Sequence, residues 1–199
     1  MKIIFVVVMS FFFGMQAQAV SVNAPDPSPY LLIKVCVTDY FNSYKPPSCQ
    51  TRQFLERRGS DLVYLVQKEG RSERKELILD SSLSSKVRPY PPATYVPHSY
   101  MLQFPIEVGR KWEGSYIQTG SSRSENRTRF GQVKDYGSIT IGAGTFQAFH
   151  VLAYTQLGGR RSVVESYFYC PDLAMICRYE SRDFGFREEI VEVTQIQHK

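Results

Sequence analysis

Short runs of β-branched and aromatic residues, broken at hairpin-sized intervals by glycine and polar turns, recur along most of the chain and confine it to antiparallel β architecture. Twelve such runs fit the sequence: 31–40, 51–57, 62–68, 75–79, 101–104, 111–118, 127–136, 138–141, 146–156, 162–169, 175–180 and 186–196. In 162–169 and 189–196 one set of alternate positions is apolar and the other polar or mixed, so one sheet face is buried and one is wet. Gly59, Gly70, Gly142 with Gly144, and Gly158 with Gly159 stand where tight hairpin tips need a positive φ. Gaps this short make consecutive strands neighbours. The expected fold is therefore all-β: a single strongly curved antiparallel meander sheet, or an open or half barrel, with negligible helix outside a leader segment. The stretch 86–99 carries Pro89, Pro91, Pro92 and Pro97, which have no N–H to donate, so it reads as an irregular loop crossing between parts of the sheet.

Residues 1–19 have the three parts of a secretory signal: basic Lys2, an apolar run from Ile3 to Met15, and a polar stretch ending Ala17-Gln18-Ala19. Small side chains at Ala17 and Ala19 place cleavage after Ala19. About 13 apolar residues fall short of the roughly 20 that cross a bilayer as a helix, so no membrane span is expected once the signal is removed. No cysteine near Ala19 offers a lipid acceptor. The mature chain, residues 20–199, is then a single β-rich domain of ordinary size, periplasmic or secreted.

Four cysteines, Cys36, Cys49, Cys170 and Cys177, fall in the mature part. In an oxidising compartment an even count indicates disulfides. Pairing Cys36 with Cys49 and Cys170 with Cys177 closes two short proline-containing loops, each contributing about 2 to 3 kcal/mol. A four-cysteine zinc site would need paired C-x-x-C knuckles, which these spacings lack. The formal charge of +5 is scattered among acids rather than gathered in a block, which argues against a nucleic-acid partner.

No nucleophile elbow, H-E-x-x-H or P-loop occurs, and nothing in the pattern calls for a metal or cofactor. His98, His150 and His198 are isolated, and His150 reads as a half-buried strand residue. Glu188 and Glu192 alternate onto one strand face with Glu189 on the other, as a solvated face does. Were the chain a hydrolase acting on an envelope polymer, Glu107, Glu113, Asp135 and Glu165 would be its first carboxylates. Arg123, Arg127 and Arg129, with Arg160 and Arg161, form a cationic edge that either protects a strand or meets an anion. Asn126-Arg127-Thr128 is a glycosylation sequon in a eukaryotic host only. With 13 Tyr, 13 Phe and one Trp, the chain is dense in aromatics. They suit a packed core, and equally a concave face that binds an apolar or amphipathic ligand through Trp112, Tyr116, Phe149 and Tyr167 with Arg127 and Arg129. A lipid, a glycan or an envelope protein is the partner such a face would take.

Three segments, Phe104-Pro105-Ile106-Glu107-Val108-Gly109-Arg110-Lys111-Trp112, Ala143-Gly144-Thr145-Phe146 and Tyr167-Phe168-Tyr169-Cys170-Pro171, look like a series F-P-L-x-V-G-x-x-W, A-G-T-F, Y-x-P, with Ile106 at the Leu position. Over roughly 97–195 this resembles the TapB-like exported bacterial proteins, a β-sheet family of unknown function. The resemblance implies a curved antiparallel sheet in the envelope of a Gram-negative bacterium and transfers no catalytic residues. Taken together, the sequence indicates a non-enzymatic binding or envelope-associated module. The alternatives are a scaffold without a pocket and a hydrolase.

Overall fold

Strand pairing follows the hairpins the sequence offers, and then goes one step further than they require. The computed structural model describes residues 20–27, 31–39, 46–89, 92–157, 160–183 and 187–198. Its strands are β1 (Ser21–Val22), β2 (Leu31–Asp39), β3 (Ser48–Arg58), β4 (Asp61–Lys68), β5 (Arg74–Leu79), β6 (Ser85–Pro89), β7 (Pro92–Val96), β8 (Ile106–Glu107), β9 (Lys111–Thr119), β10 (Ser124–Ile141), β11 (Gly144–Leu157), β12 (Arg160–Cys170), β13 (Met175–Asp183) and β14 (Arg187–His198). Twelve of them form a closed antiparallel barrel in the order β9-β10-β11-β12-β13-β14-β2-β3-β4-β5-β6-β7, with β7 returning to β9. Strands β1 and β8 pair separately, Ser21 opposite Glu107 and Val22 opposite Ile106.

The all-β class stands, and the open or half barrel is corrected to a closed one. The reason lies in 86–99. That stretch is not an irregular crossing loop: it holds most of β6 and all of β7, and β7 pairs Thr94, Tyr95 and Val96 with Thr119, Gln118 and Ile117 of β9. Pro89 and Pro92 face each other at the end of the β6–β7 ladder, where a missing N–H is tolerated. Register shifts in six pairings, among them those beside Phe54, Val133 and Val193, bend the strands as ring closure demands. The predicted strand 101–104 is absent, and 127–136 with 138–141 is one continuous strand, β10.

An eight-stranded barrel is narrow enough for its own side chains to fill, whereas sixteen strands leave a water channel. Twelve lie between, so this interior needs additional filling. At one end the long connection 97–110 supplies it. Leu102 and Ile106 are fully buried against Trp112, Val133, Phe149 and Tyr169, joined by Met101 and Phe104. Each such side chain contributes roughly 1.5 to 3 kcal/mol. The plug is tied down by polar contacts as well. Trp112 Nε1 donates to Tyr100 O at 3.1 Å, Met101 N to Ser84 Oγ at 2.7 Å, and the Tyr167 hydroxyl to Met101 O. Two inward-facing glycines make room for it: a Cβ on Gly114 would stand 2.2 Å from the Tyr100 ring, and one on Gly131 would stand 2.3 Å from the Trp112 ring.

Both disulfides form as the spacing predicts. Cys36 and Cys49 sit directly opposite on β2 and β3, with Cα atoms 4.1 Å apart, and Cys170 joins Cys177 across the short 3-10 turn Pro171–Leu173. Among the described residues the outer face carries charged side chains, several of them paired with one another. Glu113 is exposed on β9, Arg58 bridges Glu56 and Glu76, and Arg178 bridges Glu180 and Glu192. Among the described residues no helix is long and apolar enough to cross a membrane.

Candidate functional site in the barrel lumen

The plug fills one end of the barrel and leaves the other half of the lumen to two adjoining cavities. The larger, about 410 Å³, is ringed by inward positions from nearly every strand at the end away from the plug. They include Val35 and Val37 of β2, Arg52 of β3, Tyr95 of β7, Tyr116 of β9, Arg127 and Arg129 of β10, Glu165 of β12, Tyr179 of β13, and Glu189 of β14. The smaller, about 140 Å³, runs toward the plug between β4, β5 and β6 and is mainly apolar, lined by Val66, Leu77, Leu79, Leu83 and Pro89. Gln50, Arg52, Arg88, Met101 and Ile176 line both, so the two spaces meet there.

The floor of the larger cavity is a buried ion pair. Arg129 Nη2 lies 2.8 Å from Glu165 Oε1, with the two side chains only 7% and 4% exposed. Arg129 Nη1 donates to Ser99 O at 2.7 Å, which also fastens the plug, and its Nε donates to Thr155 Oγ1 at 3.3 Å. The Tyr179 hydroxyl donates to Glu165 Oε1 at 2.6 Å. Burial, the largest single influence, would lower the Arg129 pKa, but Glu165 together with Tyr116, Tyr167 and Tyr179 outweighs it and holds the guanidinium above its ordinary value. Burial, and then the Glu165 carboxylate, pushes the Tyr179 hydroxyl well above its usual range. The guanidinium also lies over the Tyr116 ring, 5.8 Å from its centroid.

Of the six residues the sequence singles out for binding, Tyr116, Arg127 and Arg129 line the larger cavity. Trp112, Phe149 and Tyr167 instead pack against the plug in the main core. The cationic edge divides: Arg129 points into the lumen, while Arg127 and exposed Arg123 share Glu125, whose carboxyl Arg127 chiefly holds below its usual value. The side chains of Arg160, Arg161, Glu188 and His198 lie outside the described residues. Arg52, Arg88, Tyr95, Tyr179 and Glu189 were not anticipated. The signal for one of them is readable: Glu189 shares its strand face with Val191 and Val193, a charge set among apolar neighbours, as Glu165 does with Val163, Tyr167 and Tyr169.

The four carboxylates considered for hydrolysis do not converge. Glu165 is inside, Glu113 is exposed on β9, Glu107 is 3.7 Å from Arg110 beside the plug, and Asp135 is largely exposed. One arrangement does have the order of a catalytic triad: His150 Nε2 lies 2.9 Å from Ser166 Oγ, and His150 Nδ1 lies 3.7 Å from Asp135 Oδ2. These residues occupy the opposite alternation phase from Val151 and Glu165, on the outer face of three paired strands. His150 and Ser166 are themselves ladder-paired on both sides, to Asp135 and Phe168 and to Leu152 and Glu180, so their own backbone N–H groups are not offered to an oxyanion. His150 stacks on Phe168, with centroids 4.6 Å apart, as an ordinary cross-strand pair does.

No family model and no curated protein matches the sequence. Three solved structures share its fold. A Bacteroides fragilis protein provisionally described as exported and YmcC-like in fold matches with a TM-score of 0.57 at 11% identity, over 89% of this chain and 100% of its own. A provisionally described lipoprotein of Parabacteroides distasonis matches with a TM-score of 0.53 at 12% identity, over 88% and 99%. The hypothetical lipoprotein YmcC of Escherichia coli K12 matches with a TM-score of 0.51 at 7% identity, over 88% and 90%. At these identities the likeness establishes the fold alone: the chain is built like these YmcC-like structures.

Proposed function

We propose that this chain is an exported envelope protein that holds an amphipathic ligand inside its barrel without acting on it chemically. The observation that carries the reading is the pair of joined cavities, about 410 and 140 Å³, the wider one mixed and lined by charged and tyrosine side chains as well as valines, the narrower one mainly apolar. A ligand site of this kind buries the apolar part of its ligand and fixes orientation with a few polar groups. Export is supported by the signal-like residues 1–19, which lie outside the described residues, by two disulfides that persist in oxidising compartments, and by fold relatives described as exported or lipoproteins. The resemblance of the Phe104 to Trp112 series to the TapB-like proteins agrees with this address, and cleavage after Ala19 would release the chain into the periplasm. A scaffold that works through free strand edges is less well supported, because closure gives each strand of the ring two neighbours, with one-sided pairing confined to stretches such as the second half of β10.

The test is binding of a dye that fluoresces in apolar surroundings to protein purified from periplasm and stripped of bound lipid. Wild type binds it, and Leu77→Trp, which fills the narrow cavity, weakens binding about ten-fold. Val66→Phe serves as the second cavity-filling variant. Absence of dye binding to wild type, or unchanged binding in both folded variants, overturns the proposal.

A further inference from the structure

Resting on that reading, we infer that the ligand is an anionic amphiphile whose headgroup is held by Arg52 at the junction of the two cavities. The larger cavity is lined by four arginines, Arg52, Arg88, Arg127 and Arg129, against two glutamates, Glu165 and Glu189. The lumen therefore carries an excess of positive charge where low dielectric makes each charge count. Arg129 is matched by Glu165 and Arg127 by Glu125. Arg88 lies over the Tyr95 ring, 5.9 Å from its centroid.

Arg52 differs from these three. With the Gln50 amide oxygen turned toward it, its Nη2 and Nε donate to that oxygen at 2.6 and 3.1 Å. Gln50 is neutral, and no carboxylate among the described residues stands within ion-pair distance of Arg52. Its guanidinium is enclosed by the barrel, and the surface it shows faces the cavities it lines. Burial accordingly pulls its pKa down to about 10. A charge enclosed with only a neutral partner is unfavourable, and an anion arriving from the cavities would match it. The planar fork of a guanidinium also suits a carboxylate or a phosphate, which it grips through two parallel hydrogen bonds.

The position of Arg52 fixes the orientation of such a ligand. On one side is the apolar branch of about 140 Å³, close to the roughly 150 Å³ that holds a benzene ring in a protein interior, hence room for about six carbons of a chain. On the other side, the wider space, where charged side chains stand among apolar ones, accommodates the rest of the headgroup and water. Carboxylate and phosphate headgroups satisfy this geometry equally.

Calorimetric titration of the stripped full-length mature protein with hexanoate, hexyl phosphate and hexanol tests the inference, because the three share one tail of the length the apolar branch holds and differ in charge. At least one of the anions binds wild type about ten-fold or more tighter than hexanol, and the tighter of the two identifies the headgroup. Arg52→Gln abolishes that preference by weakening the anions to the affinity of hexanol. It melts no lower than wild type without ligand, because it removes an uncompensated buried charge. Arg52→Lys, which keeps the charge and loses the fork, retains a reduced preference. Equal affinity of wild type for all three compounds overturns the anionic headgroup and leaves the amphiphile reading intact; no binding of any of them overturns both. A preference that survives in Arg52→Gln, or a large loss of its ligand-free stability, overturns the role of Arg52.

Discussion

Single residues carry the two most exacting electrostatic arrangements of the molecule. Glu165 exists as the counter-charge of Arg129, 2.8 Å away and almost wholly buried with it. Removing one partner strands the other, which costs about 3 to 5 kcal/mol, whereas replacing both with apolar side chains of similar volume is close to neutral. Urea unfolding should therefore show Glu165→Gln strongly destabilised, with Arg129→Met/Glu165→Leu recovering most of the loss. A double variant as weak as the single one would show that the Arg129 bond to Ser99 O, which holds the plug, matters more than the pair. Asp80 is the second case. Its Oδ1 accepts from Ser82 N at 2.9 Å, Ser82 Oγ at 2.7 Å and Ser84 N at 2.8 Å, and its Oδ2 faces His98 Nδ1 at 2.9 Å. Burial works against this carboxylate, but His98, Ser82 and Ser84 outweigh it and hold the pKa below its ordinary value. A depressed acid stabilises the fold above the unfolded-state pKa of about 3.9, and the contribution disappears as pH falls through the lower folded-state value. Melting temperatures of wild type and Asp80→Asn should thus differ at neutral pH and converge in acid. A gap that stays constant down to pH about 2 would place the effect of Asp80 outside its charge.

At the scale of elements, the ring is closed by its least conspicuous members. Strands β6 and β7 have five residues each, are bounded by prolines, and still supply the wall that carries Arg88 and Tyr95. Their pairing was hidden from sequence reasoning because a proline forbids a donor only at its own position; Pro89 and Pro92 spend that restriction on each other at the ladder's end. The β2–β3 hairpin is secured differently. Cys36 and Cys49 bridge directly opposite positions 13 residues apart. Opening that loop by Cys36→Ser/Cys49→Ser should lower unfolding free energy by about 2 to 3 kcal/mol in urea, and the Cys170–Cys177 pair by slightly less because its loop is shorter. A loss under about 1 kcal/mol for the first pair would mean that the β2–β3 ladder alone already restricts the unfolded chain.

For the whole molecule, ring size sets the space inside. Twelve strands enclose more space than inward side chains fill, and the 97–110 connection plugs half of it, so the remaining half becomes the joined cavities. Much of this was legible one strand at a time. Period-two alternation determined the β class, glycine turns placed most hairpins, and cysteine spacing indicated both disulfides, because each is a local property of a few neighbouring residues. Tyr116, Arg127 and Arg129 were legible as binding candidates for the same reason: they are aromatic or cationic residues on strands. Closure was not legible, because it depends on β7 meeting β9 across a connection that itself folds inward. Nor was the division of the aromatics, in which Trp112, Phe149 and Tyr167 hold the plug while Tyr95, Tyr116 and Tyr179 face the lumen. Arg52 shows the limit most clearly. In the sequence it is one arginine among many in a polar strand; only the closed ring encloses its charge and opens two cavities onto it. The sequence by itself determined the strands, their turns and their covalent ties, since these follow from local backbone preference and short loops. Tertiary structure alone decided the closed ring and which charges it buries, since these depend on residues far apart in the chain.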